Sequence, residues 1–217
     1  MSAKYFTFVN EKPSPILWCD LFEKRAYTPK PGQPGKPGEP KFSAQIILDV
    51  GSPDHNALKA LFIECARNDP QFASADLKAL GKPWDLGDNI NAEAADKGKP
   101  VYDFLKGKVL LIARTQKDVS FAYQDSGKLI EVKNELQLAE FKKRYFGGVL
   151  SHISVNLKTY AGFGGGVTAY LQQVFIAGGG TKLSGGPAPS ETFSKYVGKV
   201  TNEDPTKGNP LDDDIPF

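Results

Sequence analysis

Alternating apolar and polar residues predict β-strands over most of the chain. The clearest example covers residues 149–158, where Val149, Ile153 and Leu157 belong to an apolar series with polar neighbours. Residues 167–176 follow the same rule after the glycine-rich loop "AGFGGG", so the two segments predict a late hairpin. Further strands are predicted at residues 17–27, 41–50, 108–116, 119–124 and 128–132.

Apolar residues spaced for a helix occur between these strands. Ser52 is suited to cap a helix that begins at Pro53, and Leu58 and Phe62 lie on one face of it. Residues 72–80 and 136–145 predict two more helices, whereas Gly and Pro in residues 81–100 predict a loop. About five substantial strands with an inserted helix predict a mainly β chain with an OB-fold, a five-stranded Greek-key barrel.

The composition changes near residue 184. Residues 184–209 are rich in Gly, Pro, Ser and charge and poor in apolar residues, which predicts a flexible linker. The chain then ends in the peptide "PLDDDIPF". We therefore expect an OB-fold domain in residues 1–183, a flexible linker in residues 184–209 and an acidic C-terminal peptide in residues 210–217.

Charge divides the chain in the same way. The 217 residues carry a net charge of +2, but residues 184–217 hold six acids and three bases, a net −3. The first 183 residues are left with 24 bases and 19 acids, a net +5, which predicts a surface that binds a polyanion. The sequence contains no run of about 18 apolar residues, which a membrane-spanning helix would need, so we expect a cytoplasmic protein.

The residues that usually carry catalysis are sparse. His55 and His152 are the only histidines, and no cluster of His, Cys, Asp or Glu has metal-ligand spacing. The glycines of "GGGVTA" (residues 164–169) are followed by strand-forming residues, not by the helix that a phosphate-binding loop requires. The sequence therefore predicts no enzyme and no cofactor.

Interleaved basic and aromatic residues point to single-stranded nucleic acid. Proteins that bind single strands combine a cationic groove with exposed rings on which bases stack. The glycines of the late loop also leave room for a backbone to pass close by. Since alternate strand positions face the interior, the pattern leaves open which rings belong to the core. We predict DNA contacts at Lys41, Phe42, Lys108, Arg114, Phe121, Tyr123, Lys158, Tyr160, Phe163 and Tyr170.

The last residue, Phe217, offers an apolar ring and a free carboxylate at one point. A partner with a hydrophobic pocket and a basic side chain can bind both, and the preceding acids favour encounter with a basic surface. Solubility alone would explain the acids but would leave the apolar end unexplained. We predict a partner-binding peptide formed by Asp212, Asp213, Asp214, Ile215, Pro216 and Phe217.

Two stretches resemble known families. "DDDIPF" resembles the C-terminal peptide of bacterial single-stranded DNA-binding proteins, which recruits replication and repair proteins. Residues 148–179 resemble the last two strands of phage single-stranded DNA-binding proteins, which have an OB-fold and an acidic C-terminus. The resemblance implies a protein that coats and protects single-stranded DNA in phage replication, recombination and repair. It also implies replication and recombination proteins of host or phage as tail partners, and a homodimer as one oligomeric state.

The sequence leaves two other functions open. A metal-dependent nuclease or a recombination factor would use the same peptide for recruitment, and it would require acids clustered around a divalent metal. A structural or adaptor protein of the virion would associate with particles and show no affinity for DNA.

Overall fold

The computed structural model describes residues 5–26, 38–162 and 164–183. These ranges form β1 (Phe6–Val9), β2 (Ser14–Arg25), β3 (Lys41–Asp49), α1 (Pro53–Asn68), β4 (Trp84–Leu86), α2 (Gly87–Asp96), a 3-10 helix (Asp103–Leu105), β5 (Lys108–Thr115), β6 (Ser120–Asp125), β7 (Lys128–Glu131), α3 (Glu135–Arg144), β8 (Val149–Tyr160) and β9 (Gly166–Gly180).

Five of these strands close into a barrel. Strand β2 pairs with β3, β3 with β5, β5 with β9, β9 with β8, and β8 returns to β2. All of these pairs are antiparallel except β5 and β9, which run parallel and align Ala113 with Ala169. A five-stranded ring with this order, and with α3 before its fourth strand, is the OB-fold. The predicted fold class is therefore confirmed.

Four strands extend the barrel. Strand β1 pairs with β8, the hairpin of β6 and β7 continues the sheet beyond β9, and β4 pairs with β5. Inward positions of the barrel strands supply the core, for example Ile46, Leu111, Val155 and Leu171, each at most 1% exposed. Helix α1 adds Leu58 and Phe62 to this core, as its apolar face predicts.

The predicted cap of α1 is present. The Ser52 hydroxyl accepts a hydrogen bond from the His55 backbone N–H at 3.2 Å, and Pro53 is the first helical residue. Such a cap satisfies one of the free N–H groups at a helix start. Sequence spacing alone was therefore sufficient to place the start of this helix.

Two predictions about residues 72–100 were wrong. Residues 72–80 form turns where a helix was expected, and residues 81–100 contain β4 and α2 where a loop was expected. Helix α2 is held by a tertiary contact that local propensity does not show: the Asn91 amide donates to the Tyr102 carbonyl and its oxygen accepts from the Tyr102 N–H, both at 2.9 Å. Tertiary contacts of this kind outweigh an unfavourable Gly at the helix start.

Candidate nucleic-acid interface

A groove of about 840 Å³ crosses the outer face of the barrel over β3, β5, β9 and the end of β8. Polar and aromatic side chains dominate its walls. Its basic and aromatic lining residues are Lys41, Lys82, Arg114, Tyr160 and Tyr170. Four of these five were predicted to contact DNA, so the fold gathers them at one place.

Strand register explains why these side chains share a face. Ala113 and Ala169 are fully buried and paired across β5 and β9, so their chain neighbours Arg114 and Tyr170 point outward. Tyr170 is paired with Asn156 across β8 and β9, and Thr168 is paired with Lys158. The outward positions of four adjacent strands therefore build one continuous surface.

Two tyrosine rings on this surface are accessible to a ligand. Tyr160 is 37% exposed and Tyr170 is 39% exposed. The Lys158 ammonium lies 5.8 Å from the centroid of the Tyr170 ring, which is within cation–π range. Lys158 therefore stands at the edge of the groove and brings a positive charge next to a ring on which a base can stack.

The charges of the groove favour an anion. Lys41, Lys82, Arg114 and Lys158 form no ion pair with any other residue in the described ranges. Two acids, Glu39 and Asp85, also line the groove, and the Gln116 amide donates a hydrogen bond to Glu39. Unpaired cations do not have to break an existing ion pair before they meet a phosphate, so the surface is ready for a polyanion.

The groove continues towards β2. A neighbouring depression of about 760 Å³ shares Glu39, Lys41 and Arg114 with it and reaches Ser43 and Gln45. Arg25 lines this part and forms an ion pair with Asp20 at 3.0 Å. The two depressions together form a path across the outward faces of β2, β3, β5 and β9, which we call the barrel groove.

Cys19 also lines the barrel groove next to β2. Its thiol donates a hydrogen bond to the Leu17 carbonyl. Burial raises the pKa of the Cys19 thiol to about 11, and therefore the thiol stays protonated at neutral pH. A neutral thiol adds no negative charge to the groove.

Glycines at the end of the barrel groove allow two backbones to meet. The Gly81 N–H donates to the Gly165 carbonyl at 3.0 Å, and the Val167 N–H donates to the Gly81 carbonyl at 2.9 Å. A Cβ atom at Gly166 would lie 2.5 Å from the Gly81 carbonyl oxygen. The backbone that passes close to these glycines is thus the chain's own, and this contact places Lys82 in the groove.

Thr159 fixes the end of β8 next to Tyr160. Its hydroxyl donates a hydrogen bond to the Asp69 carboxylate at 2.5 Å, just beyond the C-terminus of α1. This hydrogen bond, together with one from the Gln71 N–H, lowers the pKa of the Asp69 carboxyl. The carboxylate therefore stays ionised at neutral pH and holds the strand end in place.

The remaining predicted DNA contacts lie elsewhere. Tyr123 is 5% exposed, with the Arg144 guanidinium 4.8 Å from its ring centroid, and Phe121 packs against Phe141 in the core. Phe42 is half-buried with the Lys24 ammonium 5.1 Å from its ring centroid, and Lys108 forms an ion pair with Asp49. These four residues do not line the barrel groove, and they take no part in the interface proposed below.

Two predictions concern residues that the structure does not describe. Phe163 lies outside the described residues, and so does the peptide from Asp212 to Phe217. Lys82, which the structure adds to the groove, was missed because it belongs to a stretch predicted as a loop. Only its contact with the β8–β9 loop brings it there, and nothing in the local sequence signals that contact.

Neither histidine stands in a catalytic arrangement. His152 Nδ1 lies 2.8 Å from the Asn10 carbonyl, and its ring stacks on Phe175. His55 Nδ1 accepts a hydrogen bond from the Gly51 N–H at 3.0 Å. Within the described ranges, no group of three or more His, Cys, Asp or Glu residues is placed to hold a metal ion. No helix there is long and apolar enough to cross a membrane.

The architecture and the barrel groove define an OB-fold with a basic and aromatic face, the arrangement found in proteins that bind oligonucleotides. No protein-family model matches the sequence, and no curated protein matches it. Several solved structures, however, align with this chain. The single-stranded DNA-binding protein from bacteriophage Enc34 in complex with ssDNA aligns with a TM-score of 0.56 at 15% identity, over 80% of this chain and 87% of that chain.

Two further solved structures also align with this chain. A second structure of the single-stranded DNA-binding protein from bacteriophage Enc34 aligns with a TM-score of 0.53 at 16% identity, over 83% of this chain and 86% of that chain. The single-stranded DNA-binding protein gp2.5 from bacteriophage T7 aligns with a TM-score of 0.45 at 11% identity, over 91% of this chain and 98% of that chain. The two Enc34 structures confirm the resemblance to phage single-stranded DNA-binding proteins at the level of the fold.

Proposed function

We propose that the chain binds single-stranded DNA along the barrel groove without sequence preference. One observation carries the proposal: two exposed tyrosine rings and three basic side chains line the groove, and Lys158 lies beside one of the rings. None of these four basic side chains has an ion-pair partner among the described residues. The fold shared with the Enc34 protein, which was solved in complex with ssDNA, supports the same conclusion.

The two kinds of side chain have separate tasks. Tyr160 and Tyr170 offer faces on which any base can stack, each stacked base contributing about 1–3 kcal/mol. Lys41, Lys82, Arg114 and Lys158 meet phosphates, which all nucleotides share. Since neither contact depends on base identity, the binding tolerates any sequence.

The same division explains a preference for single strands. In a duplex the faces of the bases are covered by their neighbours, so the rings lose their contribution while the phosphate contacts remain. We therefore expect duplex DNA to bind through charge alone, more weakly and with strong salt dependence. Coating of unpaired strands would protect them during replication, recombination and repair of phage DNA.

We further propose that Asp212–Phe217 recruits replication and recombination proteins of host or phage. The linker in residues 184–209 gives the peptide reach while the barrel stays on DNA. The ring and carboxylate of Phe217 supply the specific contact, and the three aspartates favour encounter with a basic pocket.

A salt-titrated binding curve tests the DNA-binding proposal. Fluorescent oligo-dT and a duplex of equal length are titrated with the full chain at several salt concentrations. We expect tighter binding of the single strand, with an affinity that falls as salt rises. Equal affinity for the two ligands at low salt would refute the proposal. Degradation of either strand on adding a divalent metal would favour the nuclease alternative instead.

A further inference from the structure

A second groove lies beside the barrel groove, between α1 and β4. It has a volume of about 670 Å³, and most of its wall is apolar: Phe62, Ile63, Leu77, Leu80 and Trp84. Ile63 on α1 is 45% exposed and adds accessible apolar surface to this groove. Lysines at positions 59, 78 and 82 also line this groove. An apolar slot with positive charges around it fits a ligand that has a flat apolar part and an anionic part.

His55 supplies a polar group to this α1–β4 groove. The residue lines the groove and is 1% exposed, and its Nδ1 accepts from the Gly51 N–H. An accepting Nδ1 places the proton of the neutral ring on Nε2. Burial, and secondarily the charge of Lys59, lowers the pKa of His55 and keeps the ring neutral. Nε2 has no hydrogen-bond partner in the described structure, so a buried donor remains without an acceptor.

The α1–β4 groove is continuous with the barrel groove. Lys82 and Asp85 line both of them. Lys82 follows Gly81, whose backbone is hydrogen-bonded to the β8–β9 loop beside Tyr160. A strand that leaves the barrel groove at Tyr160 therefore meets Lys82, which lies with Asp85 where the two grooves join.

We propose that the α1–β4 groove is a second base-binding subsite for the strand that lies in the barrel groove. One unpaired base enters between the apolar walls near Trp84, and its flanking phosphates contact Lys59 and Lys78. Every base carries carbonyl or ring-nitrogen acceptors, and one of these meets the free Nε2–H donor of His55. This inference rests on the proposed function and extends the length of strand that one chain covers.

The length of the bound oligonucleotide distinguishes binding in the barrel groove alone from binding that also uses the α1–β4 groove. Oligo-dT strands from about 4 to about 16 nucleotides cover the range of site sizes known for one OB-fold. We compare the unmodified chain with the double variant Lys59→Gln/Lys78→Gln. The control is Lys99→Gln/Lys128→Gln, which removes two exposed lysines that line neither groove.

We expect the double variant to bind the shortest strands like the unmodified chain, because they fill the barrel groove alone. On longer strands the unmodified chain gains affinity by roughly 5- to 150-fold from the added base, and its salt slope steepens by about 1.4 for two phosphates. The double variant loses the steeper slope and part of the gain, whereas the control keeps both.

Photo-crosslinking provides an independent readout. Strands with a single 5-iodouracil at successive positions are irradiated on the unmodified chain, and crosslinked peptides are identified by mass spectrometry. We expect positions near one end of the strand to mark the peptide that contains Trp84. Identical length dependence of affinity and salt slope in the double variant and the unmodified chain would overturn the subsite.

Two further outcomes would contradict either the subsite or the proposed function. The unmodified chain could also bind an acidic, apolar peptide. If Lys59→Gln/Lys78→Gln abolished that binding and left DNA affinity unchanged at every strand length, the groove would belong to a protein partner and the subsite would be refuted. Failure of the unmodified chain to bind any strand would instead refute the proposed function itself.

Discussion

At the scale of single residues, position on the barrel decides what an aromatic ring does. Tyr170 and Tyr123 both lie on strands, and each ring has a basic side chain close to it. Tyr170 points outward beside Lys158, whereas Tyr123 points inward and is covered by Arg144. Only a ring with a free face can stack on a base, so Tyr170 is the ring whose loss is most informative.

Substitution of Tyr170 by alanine is expected to weaken oligo-dT binding by roughly 5- to 150-fold, the equivalent of about 1–3 kcal/mol of stacking. Tyr170→Phe keeps the ring face and should bind nearly as well as the unmodified chain. Tyr5→Ala is the matched control, because Tyr5 is 68% exposed but lies outside the barrel groove. Fluorescence anisotropy measures all three, and equal affinities for Tyr170→Ala and Tyr5→Ala would contradict the stacking role.

Arg114 tests the electrostatic half of the interface. Arg114→Gln removes one positive charge from the part of the barrel groove that its two depressions share. The slope of log affinity against log salt should become shallower by about 0.7, the value for one phosphate contact on a single strand. Lys128→Gln, on exposed β7, should leave the slope unchanged. The same slope for Arg114→Gln and the unmodified chain would show that Arg114 meets no phosphate.

The sequence predicted the residue types of this site better than their places. Alternation shows that Phe121 and Tyr123 lie on the same face of their strand, but it does not show whether that face packs against α3 or meets solvent. That choice depends on Phe141 and Arg144, which approach from a helix 20 residues further on. The pairing of β3 with β5 places Lys108 opposite Asp49, and the two residues form an ion pair. The residues around Lys108 in the sequence do not predict this long-range contact.

At the scale of elements, one backbone contact joins the insertion between β3 and β5 to the end of the barrel groove. Gly81 and Gly166 are bridged, and neither position has room for a side chain. The contact brings Lys82 beside Tyr160 and connects the barrel groove to the α1–β4 groove. The glycines therefore act as packing residues at this point.

Gly166→Ala is expected to lower the free energy of unfolding by about 1–3 kcal/mol, because its Cβ would lie 2.5 Å from the Gly81 carbonyl oxygen. Gly162→Ala is the control, since a Cβ there meets nothing within 4 Å. Urea unfolding followed by circular dichroism compares the two. Equal unfolding midpoints would show that the contact between Gly81 and Gly166 does not constrain the folded chain.

Elements with a strong local signal were predicted well from sequence. The cap at Ser52 placed the start of α1, and the long alternation of β8 placed the late hairpin close to its observed bounds. Helix α2 was missed because Gly87 at its start is a poor helix former, and its stability comes from Asn91 and the chain around Tyr102. Strand β1 has four residues, too few for alternation to be recognised.

At the scale of the whole molecule, charge is divided between a basic barrel domain and an acidic end. The net +5 of residues 1–183 suits DNA, and the net −3 of residues 184–217 suits a basic partner. The two activities are therefore expected to be separable by mutation. A protein organised in this way can stay on a strand while its end engages replication proteins.

The separation predicts a specific result for Phe217→Ala. Recovery of replication proteins from host lysate should be lost, because the ring that we propose to fill a partner's pocket is gone, while oligo-dT affinity stays unchanged. Deletion of residues 212–217 should likewise preserve or strengthen DNA binding, since it removes three negative charges. Unchanged recovery with Phe217→Ala would refute the role of the terminal ring, and a marked loss of DNA affinity would refute the separation.

The central claim is that an unpaired strand lies along the barrel groove. A structure of the full chain with a short oligo-dT tests it most directly. The account predicts a strand that crosses β3, β5 and β9, with a base on the ring of Tyr170 and phosphates near Arg114 and Lys158. A strand bound to any other surface, with these side chains free of contact, would contradict it.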